Sequence, residues 1–418
     1  MPHLCTSAVR ILLIGVLLLA GVQAIHASEK EAIDISNNIR LLHMPYGTML
    51  DPVFASSDRN SPEYVNIVGY TRAGDSATWT GHYLAAEAFR YKVTRSPDAL
   101  ANAWAALYGI HTLLDVTGND VLARCLVPAD SPYGPAIQRE EGGHGIYYNA
   151  LSGRNYFWVG DTSRDQYSGV MFGLNAAYEL IDDSTMRSFI RYNVTRILNF
   201  LLRRGWNVIM PDGKISTTFL HRPDQQLSFL QIGRRINPDE FEWTYLMYRI
   251  LYASLVIAPI QFDDIDDHNH YFKFNINYIN LYNLVRLEDT GSIFRQTYVR
   301  AYDELRHTTE THGNAFFNML DHVIKGANTG HDLETITLLD AWLKRPRRDN
   351  WIDLRATVPA CGDDRACAPI PVDERVNTDF LWQRSPFLLY GGGLGQIETA
   401  GIDYILPYWM SRAYGLAQ

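Results

Sequence analysis

The chain has 418 residues, of which 47% are hydrophobic and 20% are charged, and its formal net charge is −9. This apolar content is sufficient for a large folded core. The acidic balance disfavours a nucleic-acid partner, because binding to phosphates requires a basic surface.

The N-terminus predicts a signal peptide over residues 1–27. An apolar run from Ile11 to Val22 is followed by small residues at cleavage-site spacing, Ala24 and Ala27. The run is too short for a transmembrane helix, and no later stretch of the sequence has the required length and apolarity. We therefore expect a mature chain of residues 28–418 that is exported, either periplasmic or secreted, without stable membrane insertion.

Helical hairpins recur along the rest of the chain. In each unit, apolar residues lie at spacings of three, four and seven, the period of a helix, on both sides of a short polar turn. Ser96-Pro97 and Asn237-Pro238 are typical helix starts, because a capping residue precedes a proline. The sequence predicts six units, at 78–117, 165–204, 224–258, 270–307, 313–345 and, less regularly, 376–415.

Six helical hairpins in one chain favour an all-α fold. We expect one domain over residues 28–418, a closed toroid with an inner and an outer ring of helices and a funnel at one end. The segments 127–163 and 346–378 are too long for simple connectors, so they are predicted to form the rim of the funnel. Residues 206–219 predict a small β-hairpin that turns at Asp212-Gly213.

Three cysteines follow the signal segment. Cys361 and Cys367 are close enough in sequence to form a disulfide in an exported protein. Cys125, in an apolar stretch, is then a buried free thiol. Zinc binding is disfavoured because the two cysteines lack nearby histidine partners. Neither a metal nor an organic cofactor is expected.

A cluster of polar side chains opens the helix of the second hairpin. Asp161, Arg164, Asp165 and Tyr167 fall within seven residues, directly after Trp158 and Gly160. If Asp161 and Asp165 are both helical, their spacing of four places them on one face. Acidic residues also favour the positive end of a helix, so capping explains one of the two aspartates. We interpret the cluster as a candidate site, with Asp165 the first choice for a catalytic group and Asp161 the second.

Glycoside chemistry needs a second carboxylate across the scissile bond, roughly 5–9.5 Å from the first. Asp75 is the natural candidate, because it directly precedes the first helix of the first hairpin, as Asp161 precedes the first helix of the second hairpin. Trp79 and His82 follow on the same helix. A tryptophan can stack on a sugar face, and a histidine can act as a base or a hydrogen-bond donor. The alternatives are that Asp75 caps its helix and that His82 is a core residue.

Helical hairpins that open with an Asp-rich turn resemble the six-hairpin glycosidase superfamily, whose members are (α/α)6 toroids. Within it, "RDQYSGVMFGLNAAYEL" (164–180) is similar to a segment of the unsaturated glucuronyl hydrolases in which a catalytic aspartate begins an inner helix. "DSATWTGHYLAAEAFRYKVTRSPDALANA" (75–103) resembles their first hairpin. The resemblance implies that Asp165 is the acid/base aspartate. "DSATW" replaces the family's His-Asp-aromatic context for the first catalytic aspartate.

Three further residues are candidate substrate contacts. His144 lies in the glycine-rich "REEGGHGIYYN" (139–149), which lacks the spacing of a nucleotide-binding loop. Trp382 and Arg384 lie in "DFLWQRSPF" (379–387), where the arginine fork suits a substrate carboxylate and an ordinary ion pair is the alternative. The acidic run "DDIDDHNH" (263–270) lacks the ligand spacing of a calcium loop, so we interpret it as a solvated turn.

The sequence therefore favours an exported glycoside hydrolase with aspartate acid/base catalysis that acts on an oligosaccharide, with uronate-containing oligosaccharides among the candidate substrates. Trp79, Tyr167 and Trp382 would hold sugar faces. A polysaccharide lyase or a sugar epimerase on the same scaffold is the first alternative, with His82 or His144 as base and Tyr167 as proton donor. The second alternative is a toroid that binds glycans without catalysis, in which Asp75, Asp161 and Asp165 only cap helices.

Overall fold

The computed structural model describes residues 28–265, 270–362, 364–377 and 380–416. The signal peptide predicted for residues 1–27 therefore lies outside the described residues. The described part is mostly helical, with a few small sheets. Its fourteen α-helices include five of the predicted hairpins, whose helices run as follows: α2 Ser76–Thr94 and α3 Pro97–Asp115; α5 Arg164–Leu180 and α6 Ser184–Arg203; α7 Pro223–Ile236 and α8 Pro238–Tyr252; α10 Phe272–Leu287 and α11 Ile293–Thr309; α12 Ala315–Lys325 and α13 Thr329–Lys344.

The predicted helix starts have different capping chemistry. The Ser96 hydroxyl accepts the Asp98 N–H at 3.2 Å, and Pro97 is the first residue of α3, as the sequence predicts. Asn237 occupies the corresponding position of α8, but its amide donates to the Thr195 hydroxyl at 3.0 Å instead. Pro238, and not a side-chain cap, therefore marks the start of α8.

The predicted sixth hairpin at 376–415 is wrong. Its second half forms α14, Ile402–Ala413, but its first half contains strand β9, Tyr390–Glu398. The physical reason is the run of glycines from 391 to 393, which disfavours a helix and takes positive φ at Gly391 and Gly392. Helix α14 packs instead against α1, Glu29–Asn38, at the other end of the described chain.

Six helices contact one another in a cyclic order. Helix α2 contacts α5, α5 contacts α7, α7 contacts α10, α10 contacts α12, α12 contacts α14, and α14 contacts α2. The first five of these six also pack against the helix that follows each of them in sequence. The six are largely buried, and their apolar side chains belong to one contiguous core that extends from Ala32 to Met410.

The predicted rim segments contain regular structure. Strands β3 Cys125–Pro128, β4 Ile146–Leu151 and β5 Arg154–Val159 form an antiparallel sheet in the order β3-β5-β4, with the short helix α4, Gly134–Glu140, between β3 and β4. Alternating apolar residues such as Phe157 and Val159 bury one side of β5, which explains why this segment forms a sheet.

A four-stranded sheet, which the sequence did not predict, joins both ends of the described chain. Its order is β2-β1-β9-β8, formed by β1 Asp51–Phe54, β2 Ile67–Thr71, β9 and β8 Arg348–Asp353. The β-hairpin predicted at 206–219 is confirmed: β6 Asn207–Ile209 pairs with β7 Ile215–Thr218, and Gly213 has φ +84° in the turn.

The cysteine pairing predicted from the sequence is confirmed. Cys361 and Cys367 form a disulfide, and Cys125 is a buried free thiol at the start of β3. Across the described ranges, no single helix has the length and apolarity to cross a membrane. Residues Pro238–Leu255, together with α9, Ile257–Asp264, meet that test only as a pair bent by 41°.

Candidate active site

Helices α2 and α5 approach each other closely because glycines line both sides of their contact. A Cβ atom on Gly81 would overlap the Gly169 carbonyl and lie 2.7 Å from the Val170 nitrogen. A Cβ on Gly173 would lie 2.9 Å from the Gly81 Cα. Distances under 3.0 Å are not seen for real Cβ atoms, so only glycine permits this spacing. The close contact brings the N-terminal ends of the two helices together.

Asp75 and Asp165 lie at these two ends and are joined by one amide. The Gln166 Nε2 group donates to Asp75 Oδ1 at 3.1 Å and to Asp165 Oδ2 at 3.3 Å. The Gln166 side chain is buried, and its carbonyl oxygen accepts the Thr78 N–H at 3.0 Å. Gln166 is thus fixed by α2 while it holds a carboxylate on each side.

The shared amide limits the separation of the two carboxylates. Two bonds of this length keep the bridged oxygens at most about 6.4 Å apart. For these oxygens, the limit admits the ~5–5.5 Å of carboxylate pairs in retaining glycosidases and lies just below the ~6.5–9.5 Å of inverting ones.

Neither aspartate is held as a helix cap. Asp75 occupies the N-cap position of α2, yet within the described part of the chain its side chain makes no capping hydrogen bond. Its Oδ2 accepts a hydrogen bond from Gln383 at 2.8 Å. Asp165 is the second residue of α5, and its Oδ1 accepts the Ser163 hydroxyl. Side chains therefore position both carboxylates.

Arg124 fixes the two loops that carry the aspartates. Its guanidinium donates to the Gly74 carbonyl at 2.7 Å, to the Asp161 carbonyl at 2.9 Å and to the Ser163 hydroxyl at 2.9 Å. The same group lies 3.9 Å from Asp75 Oδ1. This fork geometry is available to arginine and not to lysine. The positive charge favours a negative charge at Asp75.

A cavity of about 370 Å³ opens onto both carboxylates. Arg164 is part of its wall, and it also lines a second cavity of about 410 Å³. Phe272 and Ile276 of α10 are likewise shared, so the two cavities have a common wall. The first cavity is lined by Asp75, Arg124, Ser163, Arg164, Asp165, Thr217, Phe272, Ile276 and Gln383.

Arg164 is a cation held between the two cavities. Its Nη1 donates to the Thr218 carbonyl at 3.3 Å, which ties α5 to strand β7. Burial lowers the pKa of its guanidinium, and repulsion by Arg222 lowers it further. Asp224, Asp263 and Asp165 oppose this lowering, and the position of Arg164 in both cavity walls is consistent with a substrate contact.

Asp161 does not join the pair, so its proposed place as a catalytic carboxylate is not supported by the geometry. The expectation required Asp161 and Asp165 to share a helical face, but α5 begins at Arg164. Asp161 has φ +48°, a left-handed conformation, and its side chain is exposed outside the residues that line the carboxylate cavity. The left-handed turn after Gly160 directs it away from the helix.

His82 is a core residue. It is fully buried, its Nδ1 donates to the Thr78 carbonyl at 2.8 Å, and its Nε2 accepts from the Asn275 amide at 3.2 Å. Burial lowers the pKa of the imidazole to about 4. His82 is therefore neutral at physiological pH, and both ring nitrogens are hydrogen-bonded. Its environment is that of a core residue, which was the alternative to a role as base.

The three aromatic candidates are also buried. The Trp79 ring stacks 3.7 Å from Phe380 and the Trp382 ring 4.3 Å from Phe316, centroid to centroid. The Tyr167 hydroxyl accepts the Leu122 N–H at 3.2 Å, and burial raises the pKa of this phenol. Their ring faces are covered by the core, so the structure does not place these aromatic rings where a sugar would contact them.

His144 and Arg384 lie outside the cavity wall. The His144 Nδ1 is 2.8 Å from Glu141 Oε2, and Glu141 Oε1 accepts the N–H of Gly74, the neighbour of Asp75. His144 therefore supports the Asp75 loop through a buried glutamate. Arg384 is exposed, one residue from Gln383, which does line the cavity.

Sequence reasoning missed Gln166, Arg124 and Gln383. Each of these side chains joins groups that are distant in sequence, and at most one of its partners is a sequence neighbour. Gln166, for example, lies 91 positions from Asp75. The signal that was available is Gly169 and Gly173, one helical turn apart beside Gln166, which indicates a close helix contact at that end of α5.

The described residues include no group of three or more His, Cys, Asp or Glu that could hold a metal ion. The chemistry available at the cavity is that of two carboxylates, an amide and two arginines. Comparisons with protein-family models, with curated proteins and with solved structures found no match to this chain.

Proposed function

We propose that the protein is an exported glycoside hydrolase that acts on an oligosaccharide. The observation that carries the proposal is the amide bridge of Gln166, which holds Asp75 and Asp165 from two helices at the mouth of one cavity. Two carboxylates at this spacing are the minimum that glycosidic bond cleavage requires.

The two carboxylates are assigned different roles. Asp75 lies beside the Arg124 cation, which favours the negative charge that a nucleophile needs. Asp165 takes the acid/base role because residues 164–180 resemble the segment of the unsaturated glucuronyl hydrolases that contains this aspartate. In the proposed reaction, Asp165 donates a proton to the glycosidic oxygen as the bond to the anomeric carbon breaks, and Asp75 attacks that carbon. Asp165 then takes a proton from water, which displaces Asp75 and releases the sugar.

We also propose that the helices form an (α/α)6 toroid, with α2, α5, α7, α10, α12 and α14 as the inner ring. The cyclic order of their contacts supports this arrangement. So does the position of the carboxylate cavity, which is lined by residues at the N-terminal ends of α2, α5 and α10. In the proposed toroid, α1 takes the outer position beside α14.

The two alternative functions receive less support from the geometry. A lyase would need His82 or His144 as base and Tyr167 as proton donor at the substrate. His82 and Tyr167 are buried in the core, and His144 lies outside the wall of the carboxylate cavity, paired with Glu141. A non-catalytic toroid would use the aspartates as helix caps, and the carboxylates of Asp75 and Asp165 are bound by side-chain donors instead.

Export is part of the proposal. The disulfide between Cys361 and Cys367 is compatible with an oxidising compartment. A predicted signal peptide over residues 1–27 points in the same direction.

The test is product release from a panel of oligosaccharides, neutral and uronate-containing, the latter with and without a 4,5-unsaturated end. Reducing-end release and ultraviolet absorbance are followed together for the wild type, Asp165→Asn and Asp161→Asn. We expect new reducing ends without a rise in absorbance, lost in Asp165→Asn and retained in Asp161→Asn. A rise in absorbance would identify a lyase and contradict the proposal, and so would equal activity in the two variants.

A further inference from the structure

The second cavity, of about 410 Å³, has an apolar side. Phe262 on α9 and Ile265 at its end line this space together with Phe272 and Ile276 of α10. Phe262 is 75% exposed and Ile265 is 80% exposed, whereas Ile276 is buried. Large apolar side chains kept this exposed beside a cavity are typical of a binding site for an apolar group.

The polar side of the same cavity is neutralised by internal ion pairs. Arg222 donates to Asp263 at 2.7 Å and to both carboxylate oxygens of Asp224, at 3.0 and 2.8 Å. It also donates to Asn277 at 2.6 Å, which in turn donates to Asp263 at 3.0 Å. These groups satisfy one another, so they are not selective for a charged ligand. Arg164, Gln225, His270 and Lys273 complete the polar side, and Phe262, Ile265, Phe272 and Ile276 form the apolar side.

The position of this cavity relates it to the carboxylates. It shares Arg164, Phe272 and Ile276 with the cavity that contains Asp75 and Asp165. A ligand whose sugar ring occupies the carboxylate cavity would therefore direct its next substituent along Phe272 and Ile276. Phe262 and Ile265 line the same cavity and are not shared with the carboxylate cavity.

We propose that the second cavity binds an alkyl group of the substrate, so that the enzyme prefers glycosides in which a sugar is joined to an apolar aglycone. Assigning the alkyl group as the aglycone rests on the proposed hydrolase function. Its binding in the cavity does not, because burial of methylene groups against Phe262, Ile265, Phe272 and Ile276 requires no reaction. Each methylene that leaves water tightens binding about fourfold at most.

The experiment measures equilibrium binding of methyl, butyl and octyl β-thioglucosides by titration calorimetry, below the concentrations at which they form micelles. Sulfur-linked glycosides resist hydrolysis, so the measurement is independent of turnover. The variants are Phe262→Ser and Ile265→Ser. Trp243→Ser is the matched control, because Trp243 is 78% exposed and lies on α8, outside the cavity wall. All three variants remove an exposed side chain, so their folding is retained and is verified by circular dichroism.

We expect octyl to bind at least tenfold more tightly than methyl in the wild type and in Trp243→Ser. We expect that ratio to fall at least threefold in Phe262→Ser and in Ile265→Ser. Equal affinity for methyl and octyl, or a ratio lowered only by Trp243→Ser, would overturn the inference.

Turnover of oxygen-linked glycosides is then measured separately. A chain-length effect on binding without turnover of any glycoside would overturn the proposed function and leave the apolar site standing. Turnover of methyl glycosides without a chain-length effect would overturn the apolar site alone.

Discussion

Replacing Gly81 with alanine tests whether the contact between α2 and α5 sets the geometry of the carboxylate pair. The new methyl group would overlap the Gly169 carbonyl and lie 2.7 Å from the Val170 nitrogen, where ordinary contacts begin at 3.4 Å. Both atoms belong to the backbone, so no side-chain rotamer relieves the overlap. The two helices must move apart, and Asp75 moves relative to Asp165.

The magnitude follows from two opposing contributions. Inserting a methyl group into a close-packed contact costs about 1–3 kcal/mol, and a clash with fixed backbone atoms falls at the upper end. Alanine in place of glycine within a helix contributes about 1 kcal/mol in the other direction. The free energy of unfolding should therefore fall by about 2 kcal/mol. Turnover should fall further, on the order of 100-fold, if the carboxylates shift by about 1 Å.

The assay is urea denaturation followed by circular dichroism, with the midpoint compared at unchanged slope. Gly330→Ala is the matched control, because Gly330 is also helical and the nearest atom to its added Cβ is the Asn328 Oδ1 at 3.4 Å. The control should be as stable as the wild type or slightly more stable. If Gly81→Ala behaves like Gly330→Ala, the close helix contact does not have the role assigned to it here.

Three further predictions concern stability. Burial holds the pKa of His82 at about 4 against 6.5 for a free imidazole, so only the unfolded state takes up the proton between these values. The free energy of unfolding should therefore fall by about 3 kcal/mol on account of His82 as the pH drops from 6.5 to 4. Denaturation of the wild type and of His82→Gln at each pH measures this contribution, and the difference between their free energies of unfolding should change by that amount. A difference that stays constant with pH would contradict the prediction. Gln166→Leu should lower the free energy of unfolding by about 1–3 kcal/mol more than Gln383→Leu does, because it leaves the buried Thr78 N–H without its acceptor and removes a donor from both Asp75 and Asp165. Equal denaturation midpoints for the two variants would contradict the role of the Gln166 bridge. Cys361→Ser should lower the free energy of unfolding by about 2 kcal/mol, which is the loop-closure contribution of a short disulfide. A reductant should lower the stability of the wild type to that of the variant and leave the variant unchanged. A variant whose stability depends on the reductant would refute this prediction.

The helices were the more predictable part of the fold. The period of the apolar residues and the turns at Ser96-Pro97 and Asn237-Pro238 gave five hairpins with nearly correct bounds. Strand β9 was misassigned because its pairing with β1 and β8 depends on residues more than 30 positions away. Local periodicity contains no information about such partners.

The site was predictable only where local features determine it. Asp75 and Asp165 could be found because each begins a helix after a polar loop. The expected helical position of Asp161 was wrong, since its left-handed backbone is not visible in the spacing of the acidic residues. The burial of Trp79, Tyr167 and Trp382 arises from packing against residues that are distant in sequence, Phe380, Phe219 and Phe316 respectively. Aromatic composition suits a sugar platform and a core equally well.

The Gln166 bridge has the same origin. Its two acceptors lie on different helices, and only the glycine contact between α2 and α5 brings them within reach of one amide. A polar residue at a buried helix position gives no indication of its partner until the packing is known. The assignment of Asp75 and Asp165 as a pair therefore required the structure.

The most direct test of the account compares initial rates of glycoside cleavage by Asp165→Asn and Asp161→Asn, on whichever panel substrate the wild type hydrolyses. The two aspartates are four residues apart, but only Asp165 lines the cavity and contacts Gln166. If Asp75 and Asp165 are the catalytic pair, the rate should fall at least 1,000-fold in Asp165→Asn and less than threefold in Asp161→Asn, with both variants folded. Comparable rates, or the larger loss at Asp161, would contradict the assignment of the carboxylate pair.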